Sequence, residues 1–118
     1  MVEVFSLGQS VLGEEIRGVR LGARVDQPRP LLRPQVSQLL WVLIYHCPIQ
    51  VWLVANMHGN EVVGREVLTH LATVLARVED DPRLDRILNT TEVNIVPSLN
   101  PDGWARATLG ECGGQDFR

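Results

Sequence analysis

The chain has 118 residues, 45% of them hydrophobic and 21% charged, which is the composition of a globular domain with one modest core and not of a disordered tail. Its formal net charge of −3 argues against nucleic acid as a partner, because phosphate binding needs a basic face. All eleven basic residues are arginine, so chemistry that runs through a Schiff-base or phosphate-cradling lysine is excluded.

In chain order, Glu3 to Gly13 opens with a short apolar stretch and continues with glycines and serines at turn spacing. Ile16 to Leu21 alternates apolar residues with arginine in part, as a half-buried strand does, with Gly18 as its weak point. Ala23 to Pro34 contains three prolines and reads as a loop, since proline is excluded from helix interiors and central strands. Leu39 to Ala55 is then a nearly unbroken apolar run. A membrane span needs about 20 apolar residues, and this run is short and interrupted by His46, Pro48 and Gln50, so no membrane span is predicted. A buried strand or hairpin broken at Pro48 fits better, with His46 and Cys47 incidental to it.

Val51 to Ala55 predicts a strand, Asn56 to Asn60 a turn, and Glu61 the start of a helix. A strand that feeds a loop opening a helix is where α/β sheets place ligands, beyond the carboxyl end of the strand. That corner holds His58 and Glu61, with two residues between them, close enough for imidazole and carboxylate to swing toward one point. Such donors suit zinc and leave positions open for water and substrate. On its own the H-x-x-E spacing is short enough to recur by chance.

The helical period is carried by Val63, Val67, Leu71, Val74 and Val78, widened by Leu68 and Leu75, and predicts a helix covering the sheet. His70 reads as a partly exposed helical residue and not a ligand. Glu79 to Asp81 is a solvated acidic turn, and Asp80 or Asp81 can cap a short helix from Pro82 to Leu88. Asn89-Thr90-Thr91 is an N-glycosylation acceptor if the chain enters the secretory path. Glu92 to Pro97 predicts a further strand, and Asn100-Pro101-Asp102-Gly103 a turn. Strand, helix and strand in alternation give an α/β class. Cys47 and Cys112 suit either one disulfide or two free thiols.

N-M-H-G-N-E-V-V-G-R-E, Asn56 to Glu66, resembles the first metal-binding motif of the zinc carboxypeptidases, regulatory branch, which includes the N, E, D and M types. Asn94 to Trp104, N-I-V-P-S-L-N-P-D-G-W, resembles the strand and turn that follow in the same family, and the two matches stand in the right order. The opening EVFSLGQSVLG is similar to the family's S-x-G-x-S-x-x-G segment, and R-P-L-L-R-P to a loop of the D group. The resemblance implies an α/β domain, here an incomplete mixed sheet with helices on its faces. It also implies zinc-dependent hydrolysis of carboxyl-terminal residues from peptides and proteins, with basic residues favoured.

By that resemblance His58 and Glu61 are metal ligands, and Arg118, six residues after Cys112, is the arginine that grips the substrate's terminal carboxylate. A planar guanidinium suits that two-point grip. Phe117 departs from the family's glycine at that place. Arg65 resembles a family position and equally suits an ion pair in the first helical turns. The family's later asparagine-arginine pair, third ligand histidine, tyrosine and base glutamate find no match, so no catalytic residue is placed within these residues and they read as the front part of a peptidase domain.

The family is secretory, whereas the first thirteen residues lack the charged and apolar regions of a signal peptide. Residues Ser37 to Gln50 match nothing in the family, and the text on either side joins without them, so they read as an insertion foreign to the fold, as a translated intron would be. The other function class compatible with the sequence is a non-catalytic relative or isoform that acts as a binding module.

Overall fold

The computed structural model describes residues 2–22, 49–77 and 81–108. The loop at Ala23 to Pro34, most of the 37–50 segment, both cysteines and Arg118 lie outside the described residues.

The first two strands form a hairpin, β1 at Val2–Gln9 and β2 at Glu15–Leu21, paired antiparallel from Val2 opposite Leu21 to Gln9 opposite Glu15. β1 is longer than its apolar start predicts. Its register shifts between Ser6 and Gln9, where Gly8 takes a φ of +117° and lets the chain bulge without ending the ladder. The turn is closed by Ser10, whose backbone N–H donates to the Glu14 carbonyl at 2.7 Å and whose hydroxyl accepts from the Glu14 N–H at 2.9 Å. Gly18, which weakened β2 on paper, has a packing reason: a Cβ there would overlap the ring of Phe5 on the paired strand.

β3, Ile49–Val54, and β4, Thr91–Val96, are parallel, from Ile49 opposite Thr91 to Val54 opposite Val96. Parallel neighbours require a crossover, which α1, Val62–Leu75, and α2, Pro82–Thr90, supply. The strand begins two residues earlier than the apolar pattern indicates. Ile49 and Gln50, the end of the unmatched segment, stand in the ladder opposite Thr91 and Glu92. β4 also pairs antiparallel with β2, which makes a mixed four-stranded sheet of order β1-β2-β4-β3. The α/β class expected from the sequence is the one observed. Among the described residues no helix is long and apolar enough to cross a membrane.

The core lies between one face of the sheet and α1. Leu21, Val93 and Ile95 are its buried centre, with Leu53, Leu68, Leu71, Ala72, Leu75 and Leu88 packed against them. This corrects the helix face expected from periodicity: Val63, Val67 and Val74 are 74%, 58% and 43% exposed. The packing row starts at Gly64, where a Cβ would come within 3.0 Å of the Ala55 Cβ. Leu68, Leu71, Ala72 and Leu75 follow on that side, one residue and about 100° around from the valines. Gly64 brings helix and strand close, and the leucines then outcompete the valines for the interior. His70 is exposed, as expected.

Asp81 caps α2, accepting from the Arg83 N–H at 2.9 Å, with Pro82 in the first turn where its missing N–H is harmless. Asn89 is exposed in the last turn, its amide donating to Asp85 Oδ2 at 2.9 Å. The N-P-D-G stretch is not merely a turn. It opens a short helix, α3 at Pro101–Arg106, because Asn100 as N-cap and proline just inside serve helix initiation as well as turns.

Candidate functional site

Because β3 and β4 run the same way, their carboxyl ends open at the same edge, and the two loops that follow are laced together there. The Ala55 N–H donates to the Val96 carbonyl at 3.1 Å, and the ladder then continues beyond the strands: Leu99 N–H to Ala55 carbonyl at 3.0 Å, Asn100 N–H to Asn56 carbonyl at 3.0 Å. The Asn100 side chain donates to the Met57 carbonyl at 3.1 Å and accepts from the Gly103 N–H at 2.8 Å, so one residue caps α3 and holds the loop before His58.

The approach is backbone on backbone. Gly59 is buried, and a Cβ on it would overlap the main chain of buried Gly103. Arg65 on α1 lays its guanidinium over the Trp104 ring at 3.8 Å from the centroid, with Glu66 at 3.9 Å as a distant ion partner. Arg65 thus makes both the ion pair that the helix allows and a cation–π stack that the sequence did not indicate. Asp102 reaches back to the first hairpin, accepting from the Ser10 hydroxyl at 2.7 Å and the Leu12 N–H at 3.1 Å.

On this frame His58 Nδ1 stands 3.1 Å from Glu61 Oε1, with side-chain exposures of 34% and 63%. Both sequence-selected donors thus converge on one point at the mouth of the loop. Two donors each 2.0–2.2 Å from one tetrahedral zinc lie about 3.3–3.5 Å apart, so the pair is already near the separation that a shared ion needs. A ring nitrogen that ligates a metal does so in its unprotonated form. Among the described residues no group of three or more metal-ligating side chains is assembled.

Sequence reasoning missed Asn56, Ser98, Gly103 and the Ser10–Asp102 link. Asn56 had a usable signal, an asparagine in a turn just after a strand; the others join residues that are far apart in the chain.

An open sheet with paired donors at the carboxyl ends of its parallel strands is an α/β domain of the kind that places its ligand site at that edge. The family profile described as zinc carboxypeptidase matches residues 1–113, and the chain belongs to that family. It is 42% identical to mouse carboxypeptidase D over 127 residues, covering 96% of this chain and 8% of that protein. With mouse carboxypeptidase Z it shares 34% over 115 residues, again 96% of this chain but 15% of the relative. A metallo-carboxypeptidase from Burkholderia cenocepacia superposes with a TM-score of 0.60 at 25% identity, over 86% of this chain and 23% of that one. The chain therefore spans a small part of the proteins that it matches.

Proposed function

We propose that these residues are the opening part of a zinc metallocarboxypeptidase domain that removes carboxyl-terminal residues, basic ones foremost, from peptides and proteins in the secretory pathway or outside the cell. The observation that supports this best is the convergence of His58 Nδ1 and Glu61 Oε1 at 3.1 Å, at the edge where both parallel strands end. In this reading His58 offers a neutral ring nitrogen and Glu61 a carboxylate as two of the metal's protein ligands. Bound zinc would supply Lewis-acid polarisation of the scissile carbonyl and a water of lowered pKa. Arg118 would hold the substrate's terminal carboxylate in a two-point grip, a role supported by its spacing from Cys112.

Catalytic zinc sites of this type use three protein ligands, and two are mapped here. The 118-residue chain should therefore bind zinc weakly and turn over no peptide. Calorimetry with zinc tests the reading, and His58→Ala is expected to remove most of the heat of binding. Unchanged uptake in that variant would show that His58 is not a ligand. Chelator-sensitive release of a carboxyl-terminal arginine by the chain would refute the expectation that it is inactive alone.

A further inference from the structure

Asn56 does more in this loop than join strand to turn. It is 3% exposed and takes a φ of +54°, a left-handed conformation that asparagine and glycine adopt more readily than other residues. Its Nδ2 faces the carbonyl oxygens of His58 at 2.8 Å, Gly59 at 3.2 Å and Glu61 at 3.4 Å. Its Oδ1 accepts from the Ser98 hydroxyl at 2.8 Å, from the loop after β4.

Three inward-facing carbonyls can only accept, so the turn needs a donor at its centre, and an amide NH₂ is the donor that also presents an acceptor to Ser98. The ends of the turn matter most: the carbonyls gripped belong to His58 and Glu61 themselves, the residues that carry the converging donors. One buried carboxamide thus ties the main chains of both together, and Ser98 decides which way that carboxamide faces. Glycine would satisfy the backbone conformation and supply none of these bonds. Alanine would remove the side-chain donor from all three carbonyls, leaving that of His58 with only the Glu61 N–H at 3.1 Å, and would strain the backbone as well.

We propose that Asn56, keyed by Ser98, is the positioning residue of the metal loop, holding the His58–Glu61 turn in its ligating shape before a metal arrives. This rests on the metal reading of the loop. Supporting groups around metal ligands are typically worth about 10–100-fold in metal affinity, and a clamp on the main chains of two ligands should act within that range.

The test is cobalt(II) titration of the 118-residue chain, followed by the visible d–d absorption, on the wild type and on His58→Ala, Asn56→Gly and Ser98→Ala. Far-UV circular dichroism checks that each variant is folded. Asn56→Gly should weaken binding by about tenfold or more and alter the absorption band, and Ser98→Ala by about threefold. A residue that merely stabilised the fold would lower the unfolding midpoint while leaving the affinity and spectrum of the folded chain unchanged. Binding lost in His58→Ala but equal to wild type in Asn56→Gly and Ser98→Ala overturns the positioning role alone. Cobalt binding absent from the wild type, or untouched by His58→Ala, removes the metal reading and the inference with it. If Asn56→Gly does not fold, Ser98→Ala decides: wild-type affinity and spectrum there refute the proposal.

Discussion

The two faces of β4 are held by different physics. Toward α1, Val93 and Ile95 sit with Leu21 among leucines, and stabilisation there scales with apolar area removed from water. On the other face, Glu92 and Asn94 are 7% and 0% exposed, although both are polar. Arg20 on β2 makes that possible: its Nε donates to Asn94 Oδ1 at 3.0 Å and lies 3.4 Å from Glu92 Oε1, while Nη1 reaches Glu3 at 3.1 Å. The Asn94 amide donates to Glu92 Oε1 at 3.1 Å, and Phe5 shields the guanidinium with its ring centroid at 5.1 Å. The apolar face can accept another shape of similar volume. The polar face works as a set, because removing Arg20 takes from the buried Asn94 Oδ1 the guanidinium N–H that it accepts.

That contrast is sharpest at Ile95, which is fully buried. Ile95→Ala should lower the urea unfolding free energy of the chain by about 3 kcal/mol, and Ile95→Leu by less than about 1.5 kcal/mol. Equal losses in the two would mean that shape rather than buried volume governs this face.

On the polar face, Arg20→Met keeps the aliphatic stem and removes the donors. It should cost about 2 kcal/mol, the range for a buried acceptor left unpaired. Arg20→Met combined with Glu92→Gln should cost less than the sum of the single changes, with a coupling of about 1 kcal/mol. Strict additivity in the double-mutant cycle would show that the two residues do not act as a unit.

A smaller, pH-dependent effect belongs to the cap of α2. The Arg83 guanidinium, and then the Arg83 backbone N–H, hold the Asp81 carboxyl below its ordinary 3.8. A folded value below the unfolded one means that the contribution is present above the ordinary value and is lost as pH falls through the lowered one. Asp81→Asn should therefore flatten part of the stability decline below pH about 4. A decline identical in wild type and variant would remove Asp81 from the acid response.

Much of this architecture was legible because period and turn chemistry are local. β2, β3, α1, α2 and β4 follow from alternation, helical spacing and the Asp81-Pro82 start. The contact between His58 and Glu61 was legible because the two sit in one short motif. What was hidden depends on partners distant in sequence. The alternation of Glu92 and Asn94 with apolar residues looks like a solvent-facing side until Arg20 arrives from β2. The clamp on the His58 turn needs Ser98, and the anchor of α3 needs Ser10, 92 residues before Asp102. β1 ran past its expected end because a glycine with positive φ can bulge a strand instead of terminating it. The N-P-D-G stretch became a helix because its chemistry suits both outcomes.

The smallest expected effect tests which side of α1 faces the sheet. Periodicity alone admits two adjacent apolar rows, one through Val63, Val67 and Val74 and one through Leu68, Leu71 and Leu75, and the structure packs the second. Val67 is 58% exposed, so replacing it with a polar residue of similar size removes little buried area. Val67→Thr should change stability by no more than about 0.5 kcal/mol, as surface substitutions do, whereas Leu68→Ala should cost about 2 kcal/mol. Threonine is the appropriate probe because it keeps the β-branch, and with it most of the helix propensity of valine. A loss above about 1 kcal/mol for Val67→Thr would show that the outer row is covered in solution. Repeating the urea titration at two protein concentrations then identifies the cover: a loss that grows with concentration places a second copy of the chain against these valines, and a constant loss places the row within the chain's own core.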